Sequence, residues 1–299
     1  MRKAFTRAVL AANADDTFFL TGDLGFMALE DVREAYGSRF INVGVSEQNM
    51  IGVAAGLARE RLKVFAYSIA PFCYARPFEQ IRNDLCLGGL PVCLVGNGGG
   101  YAYGHMGPTH HALEDCGAMN ALGVAVRAPA FDDDLPALIS GVDRPTYLRL
   151  GLDARPAGAA SPPYAPWRRV LDGQGGVLLA LGPLAGVAWR ALLDMDARLR
   201  PAVWAVSELP LTQLPAEIAA AIAAGQPVYV IEEHVQAGGL GMQLAHYLMA
   251  GGVMARRFVH HHAPGHATER YGSQDFHRAQ CGLDEAGIRG MVTGNEVRA

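Results

Sequence analysis

Short apolar runs alternate with helical periodicities along the first half of the chain. Thr17-Phe18-Phe19-Leu20 reads as a buried strand that ends in the turn Thr21-Gly22-Asp23, and Phe40–Val45 (FINVGV) reads as a second strand. In the next segment, Ser46–Glu60, the apolar Met50, Val53, Ala54 and Leu57 recur at helical spacing. Ser46 is placed to cap that helix, and Glu47 lies in its first turn, where the helix dipole favours a negative charge. Residues 63–69 (KVFAYSI) predict a third strand and about 74–87 a helix; LPVCLVG (90–96) predicts a fourth strand, with a helix after the loop that ends at His111. VAVRAP (124–129), a helix from Asp132 and TYLRL (146–150) complete the series.

The stretch 155–167 (RPAGAASPPYAPW) is rich in proline and small residues and reads as a linker. Beyond it the pattern restarts. GVLLALG, PAVWAV and PVYVIEE read as strands, with helices at about 184–196 and 215–224 and over GLGMQLAHYLM. The expectation is α/β: two doubly wound, parallel-sheet domains, 1–155 and 168–299, joined by 156–167. In such sheets ligands gather in loops beyond the carboxyl ends of strands. Three loops there stand out: TGDLGF (21–26), GVSEQN (44–49) and GNGGGYAYGHMGPTHH (96–111).

Composition narrows the class. At 299 residues, 51% hydrophobic and 18% charged, the chain is long and apolar enough for a sizeable core, which excludes disorder. A net charge of −4 gives no footprint for nucleic acid. No apolar run reaches the ~18–20 residues that cross a bilayer. The short basic opening has no clear cleavage site for a secretory signal. Five cysteines, none in a CxxC pair, suggest neither a disulfide frame nor a zinc knuckle, and the reducing cytoplasm is the expected compartment.

Several residues are candidates for chemistry. Glu47 sits where a buried strand meets a helix, and a carboxyl shielded from water there has a raised pKa and can exchange a proton near neutral pH. Position alone fits an ordinary helix-N-terminal glutamate better. Gly96, Gly98, Gly99, Gly100, Gly104 and Gly107 let backbone approach a ligand, and His105, His110 and His111 supply acid, base or hydrogen-bond donors. The glycines lack GxGxxG or Walker spacing, so the phosphate signal is weak, and these histidines lack a matching carboxylate pattern for a metal. His260-His261-His262 on a strand would point to alternate faces, so a solvated strand end is a better reading than a metal site. Glu232-Glu233-His234 either meets a partner or caps structure. Phe72 and Tyr74, just past a strand end, either stack on a flat ring or fill the core.

Taken together, Gly44-Val45-Ser46-Glu47-Gln48-Asn49, Arg76-Pro77-Phe78-Glu79-Gln80-Ile81-Arg82, Gly107-Pro108-Thr109-His110, EEH…GGLG (232–241) and YGSQD (271–275) resemble the transketolase family. They are most similar to the carboxyl-terminal section of a split transketolase: a pyrimidine-binding domain followed by the family's carboxyl-terminal domain. The resemblance implies thiamine diphosphate. It implies that Glu47 hydrogen-bonds N1′ of the aminopyrimidine and so favours the imino tautomer, and that His110 acts on substrate. It further implies that Phe72, with Tyr74, supplies the stacking aromatic, and that Asp23 and Gln48 lie against the cofactor. An ungapped comparison puts Ala70 and Cys73 at the usual aromatic positions. His105, His110, His111 and Arg149 are the expected substrate contacts.

The sequence also departs from the family. Gly22-Asp23-Leu24 lacks the last glycine of the family's Gly-Asp-Gly metal motif and lies where the pyrimidine domain begins. The resemblance therefore implies a separate amino-terminal subunit that holds the diphosphate and Mg²⁺ or Ca²⁺, with no metal ligands on this chain, in an α₂β₂ heterotetramer. Met106 stands where sugar-phosphate transketolases carry an aspartate, and uncharged Leu152 stands near the family's phosphate-binding arginine, with Arg149 and Arg155 offset. The expected reaction is transfer of a two-carbon ketol or acyl unit to a less phosphorylated small-molecule acceptor. The alternatives are a 2-oxoacid dehydrogenase β subunit and a non-catalytic partner chain.

Overall fold

The computed structural model describes residues 1–25, 27–266 and 271–294. Phe26 of the TGDLGF loop lies outside the described residues. The strands, in chain order, are β1 Thr17–Thr21, β2 Phe40–Asn42, β3 Lys63–Ile69, β4 Val92–Asn97, β5 Ala125–Arg127, β6 Thr146–Leu150, β7 Trp167–Leu171, β8 Val177–Leu181, β9 Ala202–Val206, β10 Glu208–Leu209, β11 Val228–Glu232 and β12 Phe258–His262. They form a seven-stranded sheet, β10-β5-β6-β4-β3-β1-β2, and a five-stranded sheet, β12-β11-β8-β9-β7. All pairings are parallel except β10 on β5 and β7 on β9, the edge strands that apolar runs alone did not reveal.

The inner strands β1, β3, β4 and β6 of the first sheet are buried on both faces, which is why they are near-continuous apolar runs. One face carries Phe5, Phe19, Tyr36, Phe65 and Tyr67 in a single aromatic cluster. The helices Arg2–Ala11 and Glu30–Tyr36 bring Phe5 and Tyr36 to it, and neither helix was expected. The other face packs on the helix Glu47–Arg59 through Met50, Ile51, Ala54, Ala55 and Ala58; of the residues that the helical spacing marks, Met50 and Ala54 are buried there and Val53 and Leu57 only partly.

Three expected elements differ in extent. The strand expected over 40–45 stops at Asn42, because the Asn42 side chain takes the backbone N–H of Gly44 and turns the chain. The helix expected over about 74–87 is broken. Ala70–Tyr74 is helical, residues 75–77 turn at Pro77, and a short helix then runs into a π-helical stretch Ile81–Cys86. Ser46 holds the cap position of the Glu47–Arg59 helix, but its side chain makes no capping bond.

The proline-rich stretch is irregular but tied down. Arg155 pairs with Asp133 at 2.5 Å and Asp153 at 2.9 Å, and the Ser161 hydroxyl donates to Asp133 at 2.9 Å. β10, which follows β9, crosses back to complete the first sheet, so the second half of the chain contributes to both sheets. Among the described residues, no helix is long and apolar enough to cross a membrane.

Candidate active site

Strand β1 leads to β2 on one side, and the chain then returns to β3 on the other side of β1. This reversal opens a crevice at the carboxyl ends of β1 and β3, where open α/β sheets bind ligands. Glu47, the first residue of its helix, points into it and is 3% exposed. Its Oε1 accepts from the Ser68 hydroxyl of β3 at 3.1 Å, and its Oε2 from Arg76 Nη1 at 2.9 Å. Gly22, just past β1, lies against the carboxyl on a third side: a Cβ there would stand 3.5 Å from Oε1. A buried carboxyl is tolerated only when its oxygens are satisfied, and these two partners do so.

The half-buried Phe72 shares this crevice. The Arg76 guanidinium carbon lies 3.9 Å from the centre of its ring, and the His110 ring makes a T-shaped contact with it, with centroids 5.1 Å apart. His110 is held by Thr109, whose Oγ1 is 3.0 Å from Nδ1. The structure thus brings Glu47, Phe72 and His110 together and adds Ser68 and Arg76, which sequence reasoning did not assign to the site. Arg76 stood in a quoted motif, but its separation of 29 residues from Glu47 carries no periodic signal.

Asp23 borders the crevice. Its backbone N–H donates to Asn42 Oδ1 at 2.9 Å, and Asn42 Nδ2 donates back to its carboxylate at 3.0 Å. This exchange ties the ends of β1 and β2 and holds Asp23 at a positive φ of 51°. A cavity of about 510 Å³ opens on the far side, lined by Asp23, Leu24, Glu30, Arg33 and Asn42. Gln48 is exposed at the helix start, and His105 and Met106 are exposed on the loop after β4.

The root of that loop is a strap between the two sheets. Gly100 and Ala112 exchange backbone hydrogen bonds at 2.8 and 3.0 Å, closing the loop at its base. Glu233, just past β11, accepts from the Tyr101 backbone N–H at 2.6 Å, from Arg278 Nε at 2.6 Å and from Gln274 Nε2 at 2.9 Å. Arg149, 5% exposed, donates to Asp115 at 2.7 Å and to the carbonyls of Ala112 and Glu233, each at 2.9 Å. Its geometry is that of a tie in the seam, away from the Glu47 crevice, and not that of the substrate contact expected of it. His111 is also drawn inward, 1% exposed, with its ring edge-on to Tyr101 and His277 and parallel to His266. Burial first, then the neighbouring His277 and His266, push its pKa down to about 4. Tyr74 lies in the core against Tyr147, so its ring does not line the crevice.

The other acidic and histidine runs hold structure. Glu232 accepts the N–H groups of Leu240 and Gly241 at 2.7 and 2.9 Å, at the N-terminus of the helix Leu240–Ala250. His260 lies 2.7 Å from the same carboxylate, His261 faces the Gly282 carbonyl at 3.1 Å, and His262 faces that of Ala263 at 2.9 Å. The three histidines are therefore partnered and half-buried, where a solvated strand end was expected. Asp115, Cys116 and His234 are close enough to suggest a metal. Asp115 Oδ2 already serves Arg149 and Tyr147, however, and His234 serves the Gly117 N–H and the Val235 carbonyl.

Comparison with known proteins fits this geometry. Residues 1–150 match the family described as transketolase, pyrimidine binding domain. The chain is 30% identical, over 252 residues, to a protein of Phocaeicola vulgatus named as the B subunit of apulose-4-phosphate transketolase, with 80% of each chain covered. The chain belongs to the transketolase family. It is also 30% identical over 275 residues to the 1-deoxy-D-xylulose-5-phosphate synthase of Syntrophotalea carbinolica, spanning 88% of this chain but only 42% of that one. A solved structure described as a split gene transketolase, inactive beta4 tetramer, superposes with a TM-score of 0.82 at 25% identity, covering 98% of this chain and 97% of that one. Within the transketolase family the chain therefore has the extent of the carboxyl-terminal part of a split enzyme, as the sequence motifs implied.

The residues present fit one half of thiamine diphosphate. A buried carboxyl beside an aromatic ring suits an aminopyrimidine, which offers a ring nitrogen and a flat surface.

Proposed function

We propose that the chain is the β-type subunit of a two-chain, thiamine-diphosphate-dependent transketolase that moves a two-carbon ketol or acyl unit. The observation that carries this reading is Glu47, sunk in the β1–β3 crevice and bridged to Phe72 through Arg76. Glu47 would hold the proton at N1′ of the aminopyrimidine, with Phe72 stacked on the ring and Ser68 fixing the carboxyl. His110, packed against Phe72, would donate or accept a proton at a substrate oxygen, with His105 and Gln48 at the rim and Asp23 facing the cofactor. When bound, the cofactor supplies the carbon nucleophile and the electron sink, so the protein's part is orientation and exclusion of water.

The diphosphate, with Mg²⁺ or Ca²⁺, would be held by a separate amino-terminal subunit, in the simplest case in an α₂β₂ assembly. The naming of the Phocaeicola vulgatus relative as one subunit of a transketolase, and the description of the solved β₄ tetramer as inactive, support this division. The exposed side chains of Val45, Met106 and Tyr271 give the partner apolar surface. Both relatives' names contain a sugar phosphate. In this chain Met106 and Leu152 carry no charge and Arg149 is committed to the seam, which supports a less phosphorylated acceptor or a phosphate met by the partner.

The test mixes the chain with a subunit carrying Gly-Asp-Gly…Asn, adds cofactor and Mg²⁺, and assays ketol transfer to phosphorylated and unphosphorylated aldehydes. Glu47→Gln should lower kcat by about 10²–10⁴-fold, the usual scale for a lost acid–base group. Full activity of that variant would overturn the reading. A mixture that transfers nothing and binds no cofactor would favour the non-catalytic alternative.

A further inference from the structure

Arg76 occupies the place that the proposed function reserves for the cofactor. Its Nη1 donates to Glu47 Oε2, and its guanidinium carbon lies 3.9 Å over the centre of the Phe72 ring, the separation of two stacked flat groups. A guanidinium is planar and delocalised and presents N–H donors in its plane, as does an aminopyrimidine protonated on its ring nitrogen. The Phe72 face and the Oε2 position cannot serve both at once. Arg76 is also free to leave. It sits in the turn 75–77, outside the flanking helices, and its side chain is 43% exposed, whereas that of Glu47 is 2% exposed.

We propose that Arg76 is a built-in placeholder for the aminopyrimidine, covering Phe72 and satisfying Glu47 in the cofactor-free chain and swinging out as the ring enters. This rests on the functional reading above, since it presupposes that Glu47 receives that ring. The placeholder keeps a buried carboxyl from standing without a partner before the subunits and cofactor assemble, which would destabilise the free subunit. It also lowers the fraction of molecules ready to bind, and so weakens the apparent cofactor affinity.

The experiment uses the full chain alone and paired with its amino-terminal subunit. In the free chain, Arg76→Met should lower Tm by about 2–5 °C, and Glu47→Gln combined with Arg76→Met should recover most of the drop. In the assembled pair with Mg²⁺, calorimetric titration with thiamine diphosphate should show Arg76→Met binding about three- to tenfold more tightly than the wild type. A merely structural arginine would lower Tm and leave affinity unchanged, and an arginine that holds the cofactor would lower affinity on removal. Either result overturns the placeholder. Arg76→Lys, which keeps the charge but not the planar stack, covers the case in which the Met variant fails to fold. It should keep the Tm and still bind more tightly, and unchanged or weaker binding by it overturns the placeholder equally. Wild-type pairs that take up no thiamine diphosphate would overturn the functional reading itself and the placeholder with it, an outcome distinct from binding that Arg76→Met fails to tighten.

Discussion

The Ser68 hydroxyl donates to Glu47 Oε1 at 3.1 Å, linking the third strand of the first sheet to the first residue of the helix that precedes it. Both side chains are buried, so the bond fixes the carboxyl from the side opposite the solvent-facing arginine. Ser68→Ala should therefore lower folding stability by about 1.5–3 kcal/mol, the range for a hydrogen bond to a charged group. It should also weaken cofactor binding without abolishing turnover. Urea unfolding and cofactor titration of the assembled pair measure both effects.

Arg149 separates a structural role from a substrate role. It bonds Asp115 and two carbonyls, all within the seam. Arg149→Met should cost about 3–5 kcal/mol because it leaves a buried carboxylate uncompensated. Combining it with Asp115→Asn should restore part of that loss. A rise in KM for the acceptor at unchanged stability would instead return Arg149 to the substrate.

The buried His111 makes the seam sensitive to acid. Its folded-state pKa, about 4, lies below the ordinary value of 6.5, so the unfolded chain binds the extra proton first. Stability is therefore fully present above the unfolded value and falls as pH drops from about 6.5 towards 4, by about 1–2 kcal/mol near pH 5. The groups facing the ring are His277, His266, Tyr101 and Glu233, of which the carboxylate opposes the shift. His111→Phe should flatten this part of the pH profile, measured as Tm between pH 5 and pH 8.

Gly100 is one position where glycine is required. Its φ is +68°, and a Cβ there would lie 2.4 Å from Glu233 Oε1. Gly100→Ala should push Glu233 from the Tyr101 N–H, costing about 1–3 kcal/mol by overpacking, and should loosen the loop that carries His110. Hydrogen exchange of the Tyr101 and Ala112 amides would report the opening.

Much of the first sheet was legible because its inner strands are buried on both faces and so stand out as apolar runs. Glu47 was legible only through its neighbours in the Gly44–Asn49 motif; an isolated glutamate at a helix start carries no such signal. Arg76, Ser68 and the Glu233 strap were not legible, because each depends on contacts between segments far apart in the chain. The opening helix shows how composition can mislead. Its basic residues are what composition notices, while the stripe of Ala4, Phe5, Ala8 and Val9 holds the helical period. Pro77 is the visible reason for the break in the 74–87 segment, and the expectation of one continuous helix passed over it.

The two-residue strand β10 governs how the protein can be divided. It lies beyond the proline-rich stretch, yet it lines the margin of the first sheet, with Leu209 opposite Val126 and Ser207 receiving the Ala128 N–H at 2.8 Å. A fragment ending near residue 160 would bare those main-chain groups and lose the carboxylate beneath Tyr101. Raw sheet margins recruit foreign strands, so such a fragment should be recovered as aggregate, and a short peptide spanning Ser207–Pro210 supplied in trans should restrain it.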